Sequence, residues 1–124
     1  MAFKLRTSSQ TANIFDKLNA SIHVQPFALC KLSIALSLKK PIEGLDFNTD
    51  QGGLELNRQT ITGEFDELFK ALIINHCGKK LSDNEYFPKY LKAHIDRGAK
   101  LLLSEYEYNN TNFYVHLVEL EKSI

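Results

Sequence analysis

The stretch Pro26–Leu38, PFALCKLSIALSL, decides how the rest of the chain is arranged. Pro26 suits the first position of a helix, where its missing N–H is not needed, and Pro41 prevents the helix from continuing. Lys39 and Lys40 complement the negative C-terminal end of the helix dipole. Within the stretch, three polar side chains interrupt an otherwise apolar surface: Lys31, Ser33 and Ser37.

A helix that is apolar on all sides has to be enclosed by protein. Burying each Leu, Ile or Phe side chain contributes about 1.5–3 kcal/mol. The stretch is too short to cross a bilayer, which takes about 20 apolar residues. Because a chain of 124 residues has limited material to surround one helix, we expect a second subunit to cover part of it.

The composition indicates one soluble domain. Hydrophobic residues make up 44% of the chain and charged residues 24%, which is typical of a globular protein with its own core. We expect neither a secretory signal nor a membrane-spanning segment, because the first residues are polar and no apolar run reaches membrane length. Cys30 and Cys77 are too few for a disulfide framework, so we expect reduced thiols in a cytoplasmic protein without a membrane partner.

Charge is segregated along the chain although its net value is zero. Residues 1–40 hold six basic side chains and one acidic, whereas residues 41–69 hold one basic and seven acidic. Residues 70–100 are again basic, with seven bases and three acids. Such segregation is compatible with one basic binding face, and equally with basic and acidic segments that pair inside the fold.

The first 40 residues have the element order of a ribbon-helix-helix unit. Residues 3–7 alternate apolar and polar, which predicts a strand with Lys4 and Arg6 on its outer face. Ser8 or Ser9 caps a helix whose apolar side faces the core, and the apolar helix at Pro26 follows. A lone strand needs a partner, and in ribbon-helix-helix folds a second chain usually supplies it. The apolar positions of the first helix are Ile14, Phe15, Leu18 and Ile22.

The remaining chain predicts a connecting segment, two helices and an arm. Leu54 and Leu56 alternate with polar residues in a short strand, and a helix starts near Thr62. A last helix runs from Ser82–Asn84 towards Tyr106. The apolar face of the Thr62 helix consists of Phe65, Leu68, Phe69, Leu72 and Ile73.

Two residues constrain that last helix. Pro88 is tolerable only in its first turn, and Gly98 costs about 1 kcal/mol unless another backbone packs against it. We therefore expect a mainly α chain with short β segments, forming one domain over residues 1–124. It divides into a ribbon-helix-helix-like unit (1–40), a connecting segment with two helices (41–106) and a terminal arm (107–124), in which Phe113, Val115 and Leu117 alternate.

No pattern predicts a catalytic or metal site. The four histidines lack zinc-motif spacing, and His76 next to Cys77 points in a different direction on a helix. Cys30 has the character of a small buried hydrophobe, and Cys77 lies near a helix C-terminus, which disfavours a thiolate. Gly52-Gly53 lacks the Lys and hydroxyl of a phosphate loop, and no aromatic-basic interleaving marks a single-strand platform. We expect neither enzymatic activity nor a cofactor.

The stretch GLELNRQTITGEFDELFKALI, Gly53–Ile73, resembles the middle of DndE, a family of small DNA sulfur-modification proteins. The matching positions are Gly53, Glu55, Asn57, Thr62, Gly63, Glu64, Phe65 and Asp66. The central helix also resembles that family through Lys31, Ser37, Leu38 and Pro41. The resemblance covers residues 3 to about 103, and the pair Lys39-Lys40 departs from the acidic residues common there.

The resemblance implies a component of the phosphorothioation machinery, which replaces a non-bridging oxygen of the DNA backbone with sulfur. The implied partners are DNA and proteins that carry the chemistry, a sulfurtransferase-like iron-sulfur protein and an ATPase among them. It also implies a compact homotetramer that binds nicked duplex through surface lysines and has no catalytic residues of its own.

Our leading hypothesis is a non-catalytic, oligomeric DNA-binding subunit of that machinery. A repressor of the ribbon-helix-helix class, a structural adaptor without DNA contact and a sulfur carrier using Cys77 or Cys30 remain alternatives. The outer-face pair Lys4 and Arg6 is also compatible with an ordinary solvated strand. The predicted phosphate contacts are Lys4, Arg6, Lys17, Lys31, Lys39 and Lys40.

Overall fold

The computed structural model describes residues 2–108 and 118–119 and is mainly helical, as expected. The elements are β1 (Lys4–Arg6), α1 (Ser9–Ile22), α2 (Pro26–Leu38), β2 (Glu55–Asn57), α3 (Arg58–Ile61), a 3-10 turn (Gly63–Phe65), α4 (Asp66–Cys77), α5 (Asp83–Glu85), a π-helical segment (Tyr86–Leu91) and α6 (Lys92–Tyr108). The last three of these follow one another without a break, and we call them the final helix (83–108).

The two strands pair with each other inside one chain. β1 and β2 are antiparallel, with Leu5 opposite Leu56 and Arg6 opposite Glu55. The expected ribbon shared with a second chain is therefore replaced by an internal pair, because the Leu54–Leu56 alternation already supplies a partner strand. The strand-helix-helix order is present, but the ribbon-helix-helix description of residues 1–40 is not confirmed.

A glycine allows the chain to reach β2. A Cβ added at Gly53 would lie 2.1 Å from the Ser8 carbonyl oxygen and 2.3 Å from Thr7 Oγ1, far inside van der Waals contact. The Gly53 N–H donates to the Thr7 carbonyl over 3.0 Å. Only glycine fits so close to the start of α1, which explains this position of the DndE-like stretch.

Both N-terminal helices begin where the caps predicted. The Ser8 side chain accepts a hydrogen bond from the Thr11 N–H at the start of α1, and Pro26 occupies the first turn of α2. The four apolar residues predicted for α1 are all buried. Among the described residues, no single helix is long and apolar enough to span a membrane. In the part of the chain that the structure describes, α1 and α2 reach that length and hydropathy when taken together, across a 114° bend.

Helix α2 packs on α6 at very short range. A Cβ on Gly98 would lie 1.8 Å from the Ser33 carbonyl oxygen, so the α2 backbone occupies the space of a side chain. This confirms the condition under which Gly98 is acceptable within a helix. One chain buries about half of α2, namely Leu29, Cys30, Ser33, Ile34, Leu36 and Ser37. The other side remains half-buried, and Phe27 is 43% exposed.

The amphipathic face predicted for the Thr62 helix is only partly used. Within α4 itself only Ile73 is buried, whereas Phe65, Leu68 and Leu72 are 54%, 56% and 40% exposed. Periodicity correctly indicated which residues share a face, but this face lies mostly at the surface of the single chain.

The final helix includes Pro88 beyond its first turn. Ser82 and Glu85 form a reciprocal capping box at its start, and Pro88 lies within the π-helical segment. The expectation that Pro88 belongs to the first turn was therefore wrong. The wider π-helical turn accommodates a residue that has no N–H to donate. The helix continues to Tyr108, and the alternating residues predicted for the arm, 113–117, lie outside the described residues.

Asp96 joins three parts of the chain from inside α6. Only 1% of its surface is exposed. Its carboxylate accepts hydrogen bonds from the Ser8 N–H (3.0 Å), Thr11 Oγ1 (2.6 Å) and Thr49 Oγ1 (2.6 Å), and pairs with Lys92 Nζ at 2.8 Å. Burial alone raises the pKa of Asp96, but these donors outweigh it and lower the pKa overall. The group is fully used in holding α1 and the 41–53 loop on α6.

Arg58 forms a second buried network. Its guanidinium donates to both carboxylate oxygens of Asp66 and of Asp83, at 2.6–3.0 Å. The same group lies 5.3 Å from the Tyr86 ring centroid. It is the one basic residue of the acidic segment 41–69, and it connects α3, α4 and the start of the final helix.

We expect Gly98→Ala to destabilise the protein by at least about 2 kcal/mol, because overpacking against a backbone cannot relax by side-chain rotation. At an uncrowded helical site the same change stabilises by about 1 kcal/mol. Urea unfolding followed by circular dichroism measures the difference. Gly44→Ala is the control, since a Cβ there meets nothing within 4 Å and costs only its positive φ. A stabilised Gly98→Ala variant would contradict the close helix contact.

We expect the Arg58 network to make stability sensitive to acid. Hydrogen bonds from Arg58 hold the pKa of Asp83 well below its usual range. Burial raises the pKa of Asp66, but hydrogen bonds from Arg58 and Thr62 leave it lowered. With folded pKa values below the unfolded one, the contribution is complete above about pH 4 and is lost as the pH falls further.

Arg58→Gln should therefore cost about 3 kcal/mol at neutral pH and lose less stability than the wild type on acidification. Urea unfolding at a series of pH values measures both effects. Glu55→Gln, which removes the exposed pair with Lys4 at 3.7 Å, should cost under about 1 kcal/mol. An acid slope that is identical in Arg58→Gln and wild type would show that this network does not produce it.

Candidate nucleic-acid interface

A line of three adjoining clefts follows the final helix beneath the 41–53 loop. Their volumes are about 280, 200 and 230 Å³. The first two share Gln51, Pro88 and Lys92, and the last two share Asp46, Thr49 and Ala93. We call this surface the basic groove. Its basic residues are Lys4, Arg6, Lys89, Lys92, Arg97 and Lys100.

The loop that forms one wall of the groove is tied down at several points. Thr49 donates to the buried Asp96 at 2.6 Å. Asp50 Oδ2 accepts from the Ser9 N–H at 2.9 Å, and hydrogen bonds from the Ser9 and Gly52 backbone lower the pKa of Asp50. The Arg97 guanidinium donates to the Pro41 carbonyl at 2.7 Å. The groove is thus built on a fixed loop although that loop has no helix or strand over residues 41–53.

The basic residues of the groove divide into internal and outward groups. Lys92 is buried and paired with Asp96, and Arg97 donates to the Ser37 carbonyl at the end of α2 over 2.7 Å. The four exposed ones are Lys4, Arg6, Lys89 and Lys100. Lys4 also makes an exposed ion pair with Glu55, which solvent screens. Exposed lysine and arginine side chains along one groove are suited to phosphate groups.

An aromatic pair lies in the middle of this groove. Phe47, on the loop, is 38% exposed, and its ring centroid lies 4.7 Å from that of Tyr90. Lys89 Nζ lies 5.4 Å from the Phe47 ring centroid, and Lys79 Nζ lies 5.8 Å from the Tyr90 centroid. Interaction with Tyr90 raises the pKa of Lys79. Aromatic and basic side chains therefore meet here although the sequence does not interleave them.

The structure places the six predicted contacts on several parts of one chain. Lys4 and Arg6 lie together in the first cleft of the groove. Lys17, on α1, pairs with Glu107 at 3.7 Å. Lys31 lines a separate cleft beside the Gln59–Phe65 turn. Lys39 and Lys40 are exposed at the C-terminal end of α2. All six are exposed, but only the β1 pair belongs to the groove.

Sequence reasoning missed two exposed groove residues, Lys89 and Lys100. Their segment was recognisably basic, with seven bases against three acids in residues 70–100. The missing signal was helical spacing. Positions 89, 92, 96 and 100 recur at three and four residues along the final helix, and therefore share one side of it.

Cys30, His76 and His94 are engaged in the fold. Burial raises the pKa of the Cys30 thiol to about 12. Burial, reinforced by the neighbouring His76 and Arg97, lowers the pKa of His94 to about 3, so that its ring is neutral. His76 Nε2 lies 2.6 Å from the Lys40 carbonyl, to which it donates. Within residues 2–108 and 118–119, no group of three or more His, Cys, Asp or Glu side chains is placed to hold a metal.

A second surface feature is apolar. Phe65, Leu68 and Leu72 form an exposed stripe along α4. Lys31 links this stripe to α2, since it lines a cleft with Phe65 and its Nζ lies 5.8 Å from the Phe27 ring centroid. We call the four apolar residues Phe27, Phe65, Leu68 and Leu72 the apolar face.

Comparison with known proteins identifies the family of the chain. The family model of the DNA sulphur modification protein DndE matches residues 4–110. The chain belongs to the DndE family. DndE proteins take part in DNA phosphorothioation, and no match is found among curated proteins.

Two DndE crystal structures share the fold. The DndE from Escherichia coli B7A, involved in DNA phosphorothioation modification, has a TM-score of 0.66 and 18% identity; the alignment covers 82% of this chain and 97% of that one. A DndE mutant with two glycines changed to lysine, also involved in DNA phosphorothioation, has a TM-score of 0.62 and 20% identity, with the same coverage. At these identities the likeness establishes the fold.

Proposed function

We propose that this DndE chain is a non-catalytic DNA-binding subunit of the phosphorothioation machinery. It acts as a homo-oligomer, for which the resemblance to DndE implies a tetramer. The observation that carries the proposal is the basic groove, with Lys4, Arg6, Lys89 and Lys100 exposed along one side of the chain. These side chains bind phosphates of duplex or nicked DNA and do not read bases. Partner proteins, an iron-sulfur sulfurtransferase and an ATPase, supply the chemistry.

The pKa shifts and ion pairs of the titratable groups support a role without catalysis. The raised pKa keeps Cys30 a thiol, which is a poor nucleophile. Asp66, Asp83 and Asp96 are occupied by Arg58 and Lys92. Strongly perturbed groups often mark active sites, but here the three aspartates belong to networks that hold elements of the fold together, and burial is the main cause of the shifts of Cys30 and His94.

The apolar face supports self-association. Large exposed apolar patches on small proteins mark interaction sites. The face has Lys31 on its α2 side and Glu64 and Glu67 on its α4 side. A two-fold axis would bring the basic side of one copy against the acidic side of the other, which is the arrangement of an isologous contact. We therefore assign this face to a second copy of the chain.

DNA affinity should depend on salt. We expect log affinity to fall with log salt concentration by about 0.9 per neutralised phosphate for duplex DNA. Arg6→Gln and Lys89→Gln should each weaken binding and make this slope less steep by about one phosphate. Fluorescence anisotropy with a labelled duplex measures both quantities. Lys17→Gln is the matched control, because Lys17 does not line the groove and pairs with Glu107.

Three outcomes would argue against this binding mode. A flat salt titration would remove the phosphate contacts altogether and favour a structural adaptor. An equal loss in Lys17→Gln and Arg6→Gln would favour contacts spread over the whole surface. A preference of about 10³-fold or more for one duplex sequence would favour a repressor, since phosphate contacts are blind to sequence.

Assembly should depend on the apolar face. We expect light scattering to give a mass that is a multiple of the 14.2 kDa chain. Leu68→Glu should reduce this mass, because it places a charge in a dehydrated contact. Leu68→Met keeps an apolar side chain of similar volume and should leave the mass unchanged. A wild type that scatters as one chain at all concentrations would rule out the proposed assembly.

A further inference from the structure

The aromatic pair in the basic groove has a geometry that phosphate binding does not require. Tyr90 is only 5% exposed and packs against Phe47, which is 38% exposed. One part of the Phe47 ring is thus supported by protein while the rest faces the groove. Lys89 Nζ lies within 6 Å of both ring centroids, at 5.4 and 5.9 Å. An aromatic surface flanked by cations is the arrangement by which proteins hold single nucleic-acid strands.

We propose that Phe47 is a stacking platform for an unstacked DNA base, with Lys89 and Lys79 binding the phosphates beside it. The inference rests on the proposed DNA-binding function and adds a ligand class, the nucleobase, to a groove otherwise assigned to phosphates. When a strand binds, the Lys89 ammonium moves from the ring to a phosphate, and the exposed part of the ring receives the base.

Phe47 is held firmly enough to act as a platform. The neighbouring Leu45 is buried, and Thr49, two residues further on, donates to Asp96 at 2.6 Å. The Asn48 N–H donates to Asp46 Oδ1 at 2.8 Å, closing the turn that carries the ring. A ring fixed before binding loses little conformational entropy when a base stacks on it.

Two single strands with equal numbers of phosphates separate stacking from charge. One is a strand of about 12 thymidines, within the known range of single-strand site sizes, and the other is an abasic strand of equal length. We expect the full-length protein to bind the thymidine strand at least about 5-fold more tightly, the lower limit for one stacked base. Anisotropy at fixed salt measures both affinities, and an intact duplex is measured alongside.

Matched variants assign the difference to the ring. Phe47→Leu keeps apolar packing on Tyr90 but lacks the flat π face, so it should lower thymidine-strand affinity to that of the abasic strand without changing the latter. Phe47→Tyr retains the ring and should keep the preference. Tyr108→Leu is the control, because Tyr108 is an exposed aromatic residue that lines none of the three clefts of the groove and is not part of the apolar face. Thermal melting verifies that each variant is folded.

Several results would overturn the platform. Equal wild-type affinity for the two strands would do so without any variant, as would duplex binding with no binding of either strand. A preference that persists in Phe47→Leu would place stacking elsewhere. If the wild type binds neither strand and no duplex, the proposed function itself fails and the platform fails with it. Duplex binding separates the two failures.

Discussion

The close contact between α2 and α6 is the constraint on which the other features depend. It exists because Gly98 leaves room for the Ser33 backbone. Three neighbours of Gly98 on α6 use the proximity that results. His94 lies 2.7 Å from a buried serine hydroxyl of α2, Arg97 donates to carbonyls at the end of α2, and Asp96 binds α1 and the 41–53 loop. One and a half turns of helix thus position three other segments.

The shape of the basic groove depends on the same residues of α6, because they position the loop that forms one of its walls. Arg97 neutralises the negative end of the α2 dipole and fixes the Pro41 carbonyl, where the loop begins. Asp96 fixes the middle of the same loop through Thr49. The segment between these two attachments carries Phe47 and passes over the final helix near Lys89. The irregular loop is therefore positioned by two charged side chains of α6, Asp96 and Arg97, in place of a secondary structure of its own.

Local signals in the sequence were sufficient to predict most helices and strands. They were not sufficient to predict contacts between residues that are far apart in the sequence. Pro26 and Pro41 bound α2 as predicted, and Gly98 was correctly tied to a close backbone. The pairing of β1 was not predicted correctly, because its partner is β2 of the same chain and not a strand of a second chain. Likewise, periodicity located the face of α4 that includes Leu68, but only packing determines whether a face is covered. The Phe47 platform combines residues 43 positions apart, which no local window detects.

A net charge of zero is consistent with a DNA partner, because a phosphate in the groove interacts mainly with the charges close to it and much less with the net charge of the chain. Exposed charges further away than about 8 Å are largely screened at physiological ionic strength. Of the acidic side chains that line the groove, Asp96 is neutralised by Lys92, Glu55 pairs with Lys4 and Asp46 is exposed. The six basic side chains of the groove outnumber these three acids, and Arg6, Lys89 and Lys100 are exposed. Asp66 and Asp83 hold Arg58, and Glu64 and Glu67 lie beside the apolar face, where they favour a second copy over DNA. Segregated charge lets one neutral chain present an anion-binding groove and a self-association face on different elements.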